Sequence, residues 1–332
     1  MLPTDLKTLT TFRFFAAFWV FLFHVKVVTE FEEGWFLSII QNGARGVDFF
    51  FILSGFVIFH VYEGQINAGS FSFRAFLKKR IARIYPLHVV MLLVFVVLTL
   101  GRGDPMDGFF QSLFLLHAFA TTDGLVFNDP SWTISAELFA YVLFGLLVVR
   151  NVSTLALVVA FVVLAVLAHL LAVSLGKPAF VHMTWDFGGI RILPLFVLGM
   201  ILRRLAPLCT PIISGGIGVV GLILLVLFIG REAAAYELLL PFSCLIVAGA
   251  NLSDRAWLPT NWSAMTYLGE ISYSTYMVHI FVIELCFIYA PRLGVPPMPW
   301  QVVGLIVVIA SAVSYHLVER PARTWINSWG RS

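Results

Sequence analysis

Charge is scarce in this chain. Of 332 residues only 12% are Asp, Glu, Lys or Arg, 60% are hydrophobic, and the mean hydropathy is +0.95. Soluble domains carry charge on about a quarter of their residues, so a soluble globular protein is excluded. Cysteine is nearly missing too. Cys209, Cys244 and Cys286 stand singly, with neither paired spacing nor metal-ligand spacing. That excludes a disulfide scaffold and a cysteine-built metal site, and the three read as small buried hydrophobes. There is no P-loop, so that phosphate-binding fingerprint does not apply. No internal repeat and no low-complexity segment occurs, and no polar stretch is long enough for a separate soluble domain. The net charge of +3 carries no signature of a nucleic-acid partner. The N-terminal segment is not expected to be a cleaved signal peptide: Arg13 and His24 interrupt its apolar run, and no small-residue cleavage site follows.

What the chain has instead is a succession of apolar runs of 17 or more residues, each long enough to cross a bilayer. The expected fold is an all-α integral membrane protein, a bundle of about ten transmembrane helices forming a single membrane-embedded domain over 1–332. The expected spans are 11–28, 45–62, 84–100, 132–149, 153–173, 187–203, 213–229, 235–250, 268–289 and 300–318. The apolar stretch 109–119 is too short to span and reads as a re-entrant or interfacial segment. Lys78, Lys79, Arg80, Arg83, Arg150, Arg203, Arg204, Arg320 and Arg323 fall in alternate loops, whereas Glu30, Glu32, Glu33, Asp104, Asp107 and Asp123 fall in the others. The positive-inside rule then puts both termini in the cytoplasm. An extra crossing at 109–119 would break that asymmetry.

The ionisable residues inside the spans are the informative ones, because a charge at mid-bilayer costs about 3 kcal/mol even on the milder insertion scale. Arg13 and His24 share the first span. Eleven residues on a helix make about 1,100°, close to three full turns, and a rise of roughly 16 Å, so the two lie on one stripe near opposite ends of the membrane core. Asp48 in the second span, Glu137 with Tyr141 one turn deeper in the fourth, and Arg191 in the sixth are expected at a depth similar to His24. A histidine beside a carboxylate is the arrangement of a general base; a buried polar cluster that only locks helices together is the alternative. Ser272, Tyr276 and His279 share one face of the ninth span. On the basic side, LKKRIARIYP places Arg80 and Arg83 three apart at a helix start. That suits a phosphate site, although simple positive-inside anchoring accounts for it too. Ser54, Gly55 and Phe56 give a small-residue spot where another helix or a thin ligand arm could approach the backbone closely.

Taken in order, Arg13-x10-His24, GVDFFFILSGF, RIARIYP, SWTISAELFAY, RILPLFVLG, ISYSTYMVH and VERPAR resemble acyltransferase family 3. This is the family of integral-membrane O-acyltransferases that act on bacterial surface polysaccharides, Nod factors and macrolides. The resemblance implies a multi-pass protein of the bacterial cytoplasmic (inner) membrane. It implies transfer of an acyl group, usually acetyl, from acetyl-CoA on the cytoplasmic side to a glycan or lipid-linked glycan, with no metal. It also implies that Arg13, His24, Arg80 and Arg83 are needed for activity. Joined to the reading of the residues themselves, the expected site has His24, Asp48, Arg13 and Glu137 in the chemistry, and Arg80, Arg83, Ser54 and Gly55 around the donor. Trp132, Tyr141, Arg191, Tyr276 and His279 stand around the acceptor. A proton-coupled transporter or flippase of a glycan or small solute is the rival reading, since intramembrane Arg, His, Asp and Glu also build proton relays. Such transporters commonly show inverted repeats, and the sequence has none.

Overall fold

Several long helices begin where the sequence supplies a hydroxyl cap. Ser72 Oγ accepts the amide of Ala75 at 3.3 Å, Ser153 Oγ that of Ala156 at 3.0 Å, and Thr210 Oγ1 that of Ile213 at 3.3 Å, each satisfying a donor of the first turn. The computed structural model describes residues 2–148, 150–231 and 235–329. Ten principal helices run in order: α1 (Lys7–Val25), α2 (Gly46–Asn67), α3 (Phe73–Arg102), α4 (Trp132–Leu147), α5 (Thr154–Ser174), α6 (Gly188–Leu205), α7 (Pro211–Ile229), α8 (Leu239–Leu252), α9 (Ser272–Glu284) and α10 (Trp300–Ser314). There is no strand among the described residues. Val149, at the end of the fourth expected span, lies outside the described residues.

The protein is an all-α membrane protein. Among the described residues, eight helical stretches have the length and apolarity to cross a bilayer. The other two expected spans coincide with α6 and α8, which do not meet that standard. Helix α6 carries Arg191, Arg203 and Arg204, and α8 has 14 residues, a rise of about 21 Å against a hydrocarbon core of about 30 Å. The 109–119 stretch forms only the helix Phe109–Leu113, far too short to cross. The backbone then turns through left-handed conformations at Leu115 and Ala120.

By internal contacts the chain forms two compact units, each assembled from separated stretches. The first comprises Met1–Gly69, Arg150–His182 and Ile192–Ser272; the second comprises Ser70–Val149, Met183–Arg191 and Tyr273–Ser332. Neither is continuous in sequence, so the chain does not divide into successive domains.

In the first unit, glycines let helix backbones touch. A Cβ on Gly55 of α2 would lie 1.9 Å from the Phe196 carbonyl oxygen of α6, and one on Gly199 of α6 would lie 2.0 Å from that of Ile52. This is close small-residue packing, the usual glue between membrane helices. Of the two occupants expected at the Ser54–Gly55 spot, a helix therefore holds the place at Gly55. Ser54 is half-buried beside it. Helices α5 and α7 present almost bare apolar surface, with 17% and 11% of their spanning windows buried, as lipid contact requires.

In the second unit, α3 ends at Gly103 with φ +75°, the left-handed cap that glycine suits. Beside it, Arg102 pairs with Asp104 and Glu284, each at 3.0 Å.

The α2–α6 contact yields a direct expectation. Gly55→Ala should destabilise the protein by about 1–3 kcal/mol through overpacking, read as a lowered melting temperature in detergent. Gly64→Ala on the same helix, with nothing within 4 Å of the added carbon, should leave the melting temperature unchanged or slightly raised.

Candidate active site

In the first unit the candidate base sits near the C-terminal end of α1. His24 is half-buried, and its Nδ1 lies 2.9 Å from the Val20 carbonyl one turn earlier. A carbonyl only accepts, so Nδ1 carries the proton and Nε2 of the neutral ring presents a lone pair. The helix's own backbone thus fixes the tautomer, a task the sequence reading gave to a carboxylate. Arg13 is half-buried on the same helix.

Asp48 is fully buried in the first turn of α2. The positive end of that helix favours a carboxylate, and Arg45 stands 3.4 Å away. Arg45 also donates to the Val181 carbonyl at 2.7 Å. The sequence reading missed Arg45 as the partner of Asp48; the signal was the i,i+3 spacing across a helix start.

In the second unit two groups of candidates come together. The Tyr141 hydroxyl donates to the Glu137 carboxylate. The guanidinium of Arg80 lies 5.9 Å from the Tyr141 ring and 6.0 Å from that of Phe76. Glu137 is therefore linked through Tyr141 to Arg80, which stands about two turns inside α3 and not at its start, a neighbour the sequence did not reveal. Arg83 donates to Glu319 at 2.6 Å and lies 6.0 Å from the Tyr273 ring. Glu319 is 1% exposed and also accepts from Ser274 at 2.9 Å. It closes a π-helical turn, Tyr315–Glu319, a distortion that often marks functional positions. Glu319 lies within VERPAR, and a lone acid between apolar and basic runs is the signal the sequence offers for it. The charge of Arg83 is thus already matched inside the protein.

The second group gathers at the start of α4. Arg191 is 3% exposed; it donates to the Met183 carbonyl at 2.9 Å and lies 5.3 Å from the Trp132 ring. A Cβ on Gly188 would meet that same ring at 2.5 Å. The Tyr276 hydroxyl donates to the Pro130 carbonyl at 3.2 Å and accepts from Thr133 Oγ1 at 3.1 Å. His279, fully buried, donates from Nδ1 to the Tyr276 carbonyl at 2.8 Å, which leaves its Nε2 as the basic nitrogen. Of the four residues expected in one layer, His24 and Asp48 belong to the first unit, and Glu137 and Arg191 to the second.

The segment leading into α4 is held by two histidines. His88 of α3 donates from Nε2 to the Ser112 carbonyl at 2.8 Å. His117 faces the Gln111 carbonyl at 3.3 Å through Nδ1 and Ser131 Oγ at 3.0 Å through Nε2. The two rings stack at 6.0 Å and 10°. Burial, reinforced by the neighbouring His88, pushes the pKa of His117 down to about 4. Among the described residues no group of three or more His, Cys, Asp or Glu is placed to hold a metal ion.

Residues 6–317 match the family described as an acyltransferase domain. The chain belongs to that acyltransferase family. It is 32% identical over 154 residues to "Acyltransferase MdmB" of Streptomyces mycarofaciens, covering 42% of this chain and 38% of that one. It is 26% identical over 330 residues to "Putative peptidoglycan O-acetyltransferase YrhL" of Bacillus subtilis (strain 168), covering 86% of this chain and 51% of the relative. It is 38% identical over 95 residues to "Protein 2 in picA locus" of Rhizobium radiobacter, covering 27% and 50%. The chain thus spans about half or less of the length of these relatives. No solved structure matches it.

Two outcomes are expected of this geometry. Glu319→Gln removes one partner of a buried pair and should cost about 3–5 kcal/mol. Adding Arg83→Met should recover much of that loss, and a double-mutant cycle of denaturation measurements reads the coupling. For His117, the neutral form is the one the fold accepts, so its contribution is complete above pH 6.5. It should be lost as pH falls from 6.5 to about 4, a loss of about 3 kcal/mol. Melting temperatures of the wild type and His117→Asn across pH 4–7 should show a steeper acid-side fall in the wild type.

Proposed function

We propose that this protein is an integral-membrane O-acyltransferase that moves an acyl group, acetyl in the simplest case, from acyl-CoA to a hydroxyl of a cell-surface glycan, free or lipid-linked. Membership of the acyltransferase family supports the reaction type, and the name of the Bacillus relative supports a glycan acceptor. The observation that carries the chemistry is the His24 ring, whose Nδ1 proton is committed to Val20 so that Nε2 is basic. The distribution of lysine and arginine supports a multi-pass protein of a bacterial cytoplasmic membrane with both termini inside. The start of α3 is then cytoplasmic, and the chain after α1 lies outside.

In this reading Arg80, beside Lys78 and Lys79, takes the phosphates of the donor. Arg83 is held by Glu319 and frames the same helix turn. His24 Nε2 removes the proton from the acceptor hydroxyl as its oxygen attacks the thioester carbonyl. The tetrahedral oxyanion collapses, the C–S bond breaks, and the imidazolium returns the proton to the departing thiolate. Arg13 and Glu137 act on developing charge. Asp48 holds Arg45 and the start of α2. Trp132, Tyr141, Arg191, Tyr276 and His279 shape and orient the acceptor end. Transfer is direct, from the thioester carbonyl to the acceptor oxygen, with no acyl-enzyme.

Label carried from acetyl-CoA into glycan by protein in nanodiscs tests this. His24→Ala should lower kcat by about 100-fold or more without changing the melting temperature, and Arg80→Ala should raise the KM for acetyl-CoA with little change in kcat. Near-normal turnover in the His24 variant eliminates the general-base role.

A further inference from the structure

The chain just beyond α1 borders an open cavity of about 670 Å³, within the size range of small-molecule sites. Its wall on one side is the stretch 26–31, and on the other the short helix Trp35–Gln41, which contributes Leu37 and Gln41. All of these belong to the first unit. Lys26 follows His24 by two residues, so their Cα atoms are at most about 7.6 Å apart.

The second wall is fixed to α1. Trp19 Nε1 donates to the Ile39 carbonyl at 2.7 Å, and a Cβ on Gly43 would sit 2.3 Å from the Trp19 carbonyl oxygen. The Asn42 amide ties the same turn to the Ile229 and Arg231 carbonyls at 2.8 and 2.9 Å. The cavity therefore exists before any ligand arrives, which lowers the ordering cost of binding.

Its lining has the chemistry of carbohydrate recognition. Glu30 and Gln41 offer a carboxylate and an amide, which pair with adjacent hydroxyls of a sugar ring. Phe31, its ring 6.1 Å from that of Phe36, offers an apolar face to sugar C–H groups. Thr29 Oγ1 is shielded from solvent and has no hydrogen-bond partner among the described residues, an arrangement that a ligand hydroxyl relieves. The Lys26 ammonium is held 4.7 Å over the Phe23 ring, and its partial burial lowers its pKa.

We propose that this cavity is a further acceptor subsite, additional to the acceptor-orienting residues already named, binding pyranose residues of a hydroxyl-rich glycan and bringing one free hydroxyl up to the His24 end of α1. The inference rests on the acyl-transfer reading, but binding tests it without catalysis. The probe is a set of de-O-acylated oligosaccharides prepared from the producing cell's own surface glycan, added to the full chain in nanodiscs with no acyl donor. The wild type should bind them, and they should protect Lys26 from reductive methylation, read by mass spectrometry. Glu30→Gln with Gln41→Ala should weaken binding about tenfold or more. Val28→Trp, which fills the cavity without removing a polar group, should do the same. Unchanged binding in both variants, no binding by the wild type, or Lys26 methylated equally with and without oligosaccharide overturns the proposal. Label transfer from acetyl-CoA is measured separately. Binding of the expected kind without transfer sinks the acyltransferase reading and leaves the glycan cavity standing; transfer with unaltered binding in the variants does the reverse.

Discussion

Charge placed inside an apolar bundle must be matched where it stands, and the positions of the helices answer to that requirement. Asp48 is held by Arg45 and by the positive end of α2. Arg83 is held by Glu319, which Ser274 also serves. Arg204 pairs with Glu63 and donates to the Val152 carbonyl at 2.9 Å. Arg191 spends its donors on a carbonyl and its cationic face on Trp132. Each arrangement removes a cost of several kcal/mol that an unpaired buried ion would carry. Each also fixes a particular turn of one helix against a particular neighbour.

Between such pairs the helices meet through glycine rather than through large side chains. The reciprocal approach of Gly55 and Gly199 brings the backbones of α2 and α6 into contact. Gly269 does the same against the Thr10 carbonyl of α1, where a Cβ would lie 2.0 Å away. In lipid there is little hydrophobic gain in joining two apolar helices, so close packing takes over that role. The consequence for chemistry is rigidity: His24 lies on a helix braced along much of its length.

Both histidines with a candidate chemical role, His24 and His279, use the same device. Nδ1 donates to a main-chain carbonyl, and Nε2 is left as the basic nitrogen. Orientation by backbone needs no second ionisable residue, which suits a medium where every added charge needs a partner. The acidic side chains are thereby released for other work, Asp48 at the start of α2 and Glu137 beside Tyr141 and Arg80.

The order and character of the elements were legible in the residues. Helical spans announced themselves by apolar length, the non-crossing 109–119 stretch by its brevity, and the family by a chain of motifs from Arg13 to VERPAR. Intramembrane charge also marked Asp48 and Arg191 as residues that need partners. Partners were not legible. Glu319 lies 236 residues beyond Arg83, Tyr141 lies 61 beyond Arg80, and Val181 lies 136 beyond Arg45; no local periodicity encodes such pairings. Position along a helix follows from counting at 1.5 Å per residue, and so the sequence by itself determined the order and spacing of the ionisable residues within each apolar run. Which way each one turns depends on the rotation and close approach of helices, and that is set by packing between distant stretches. Only the tertiary structure therefore decided that Gly55 meets a helix, that Arg83 is already matched, and that a polar cavity opens two residues beyond His24.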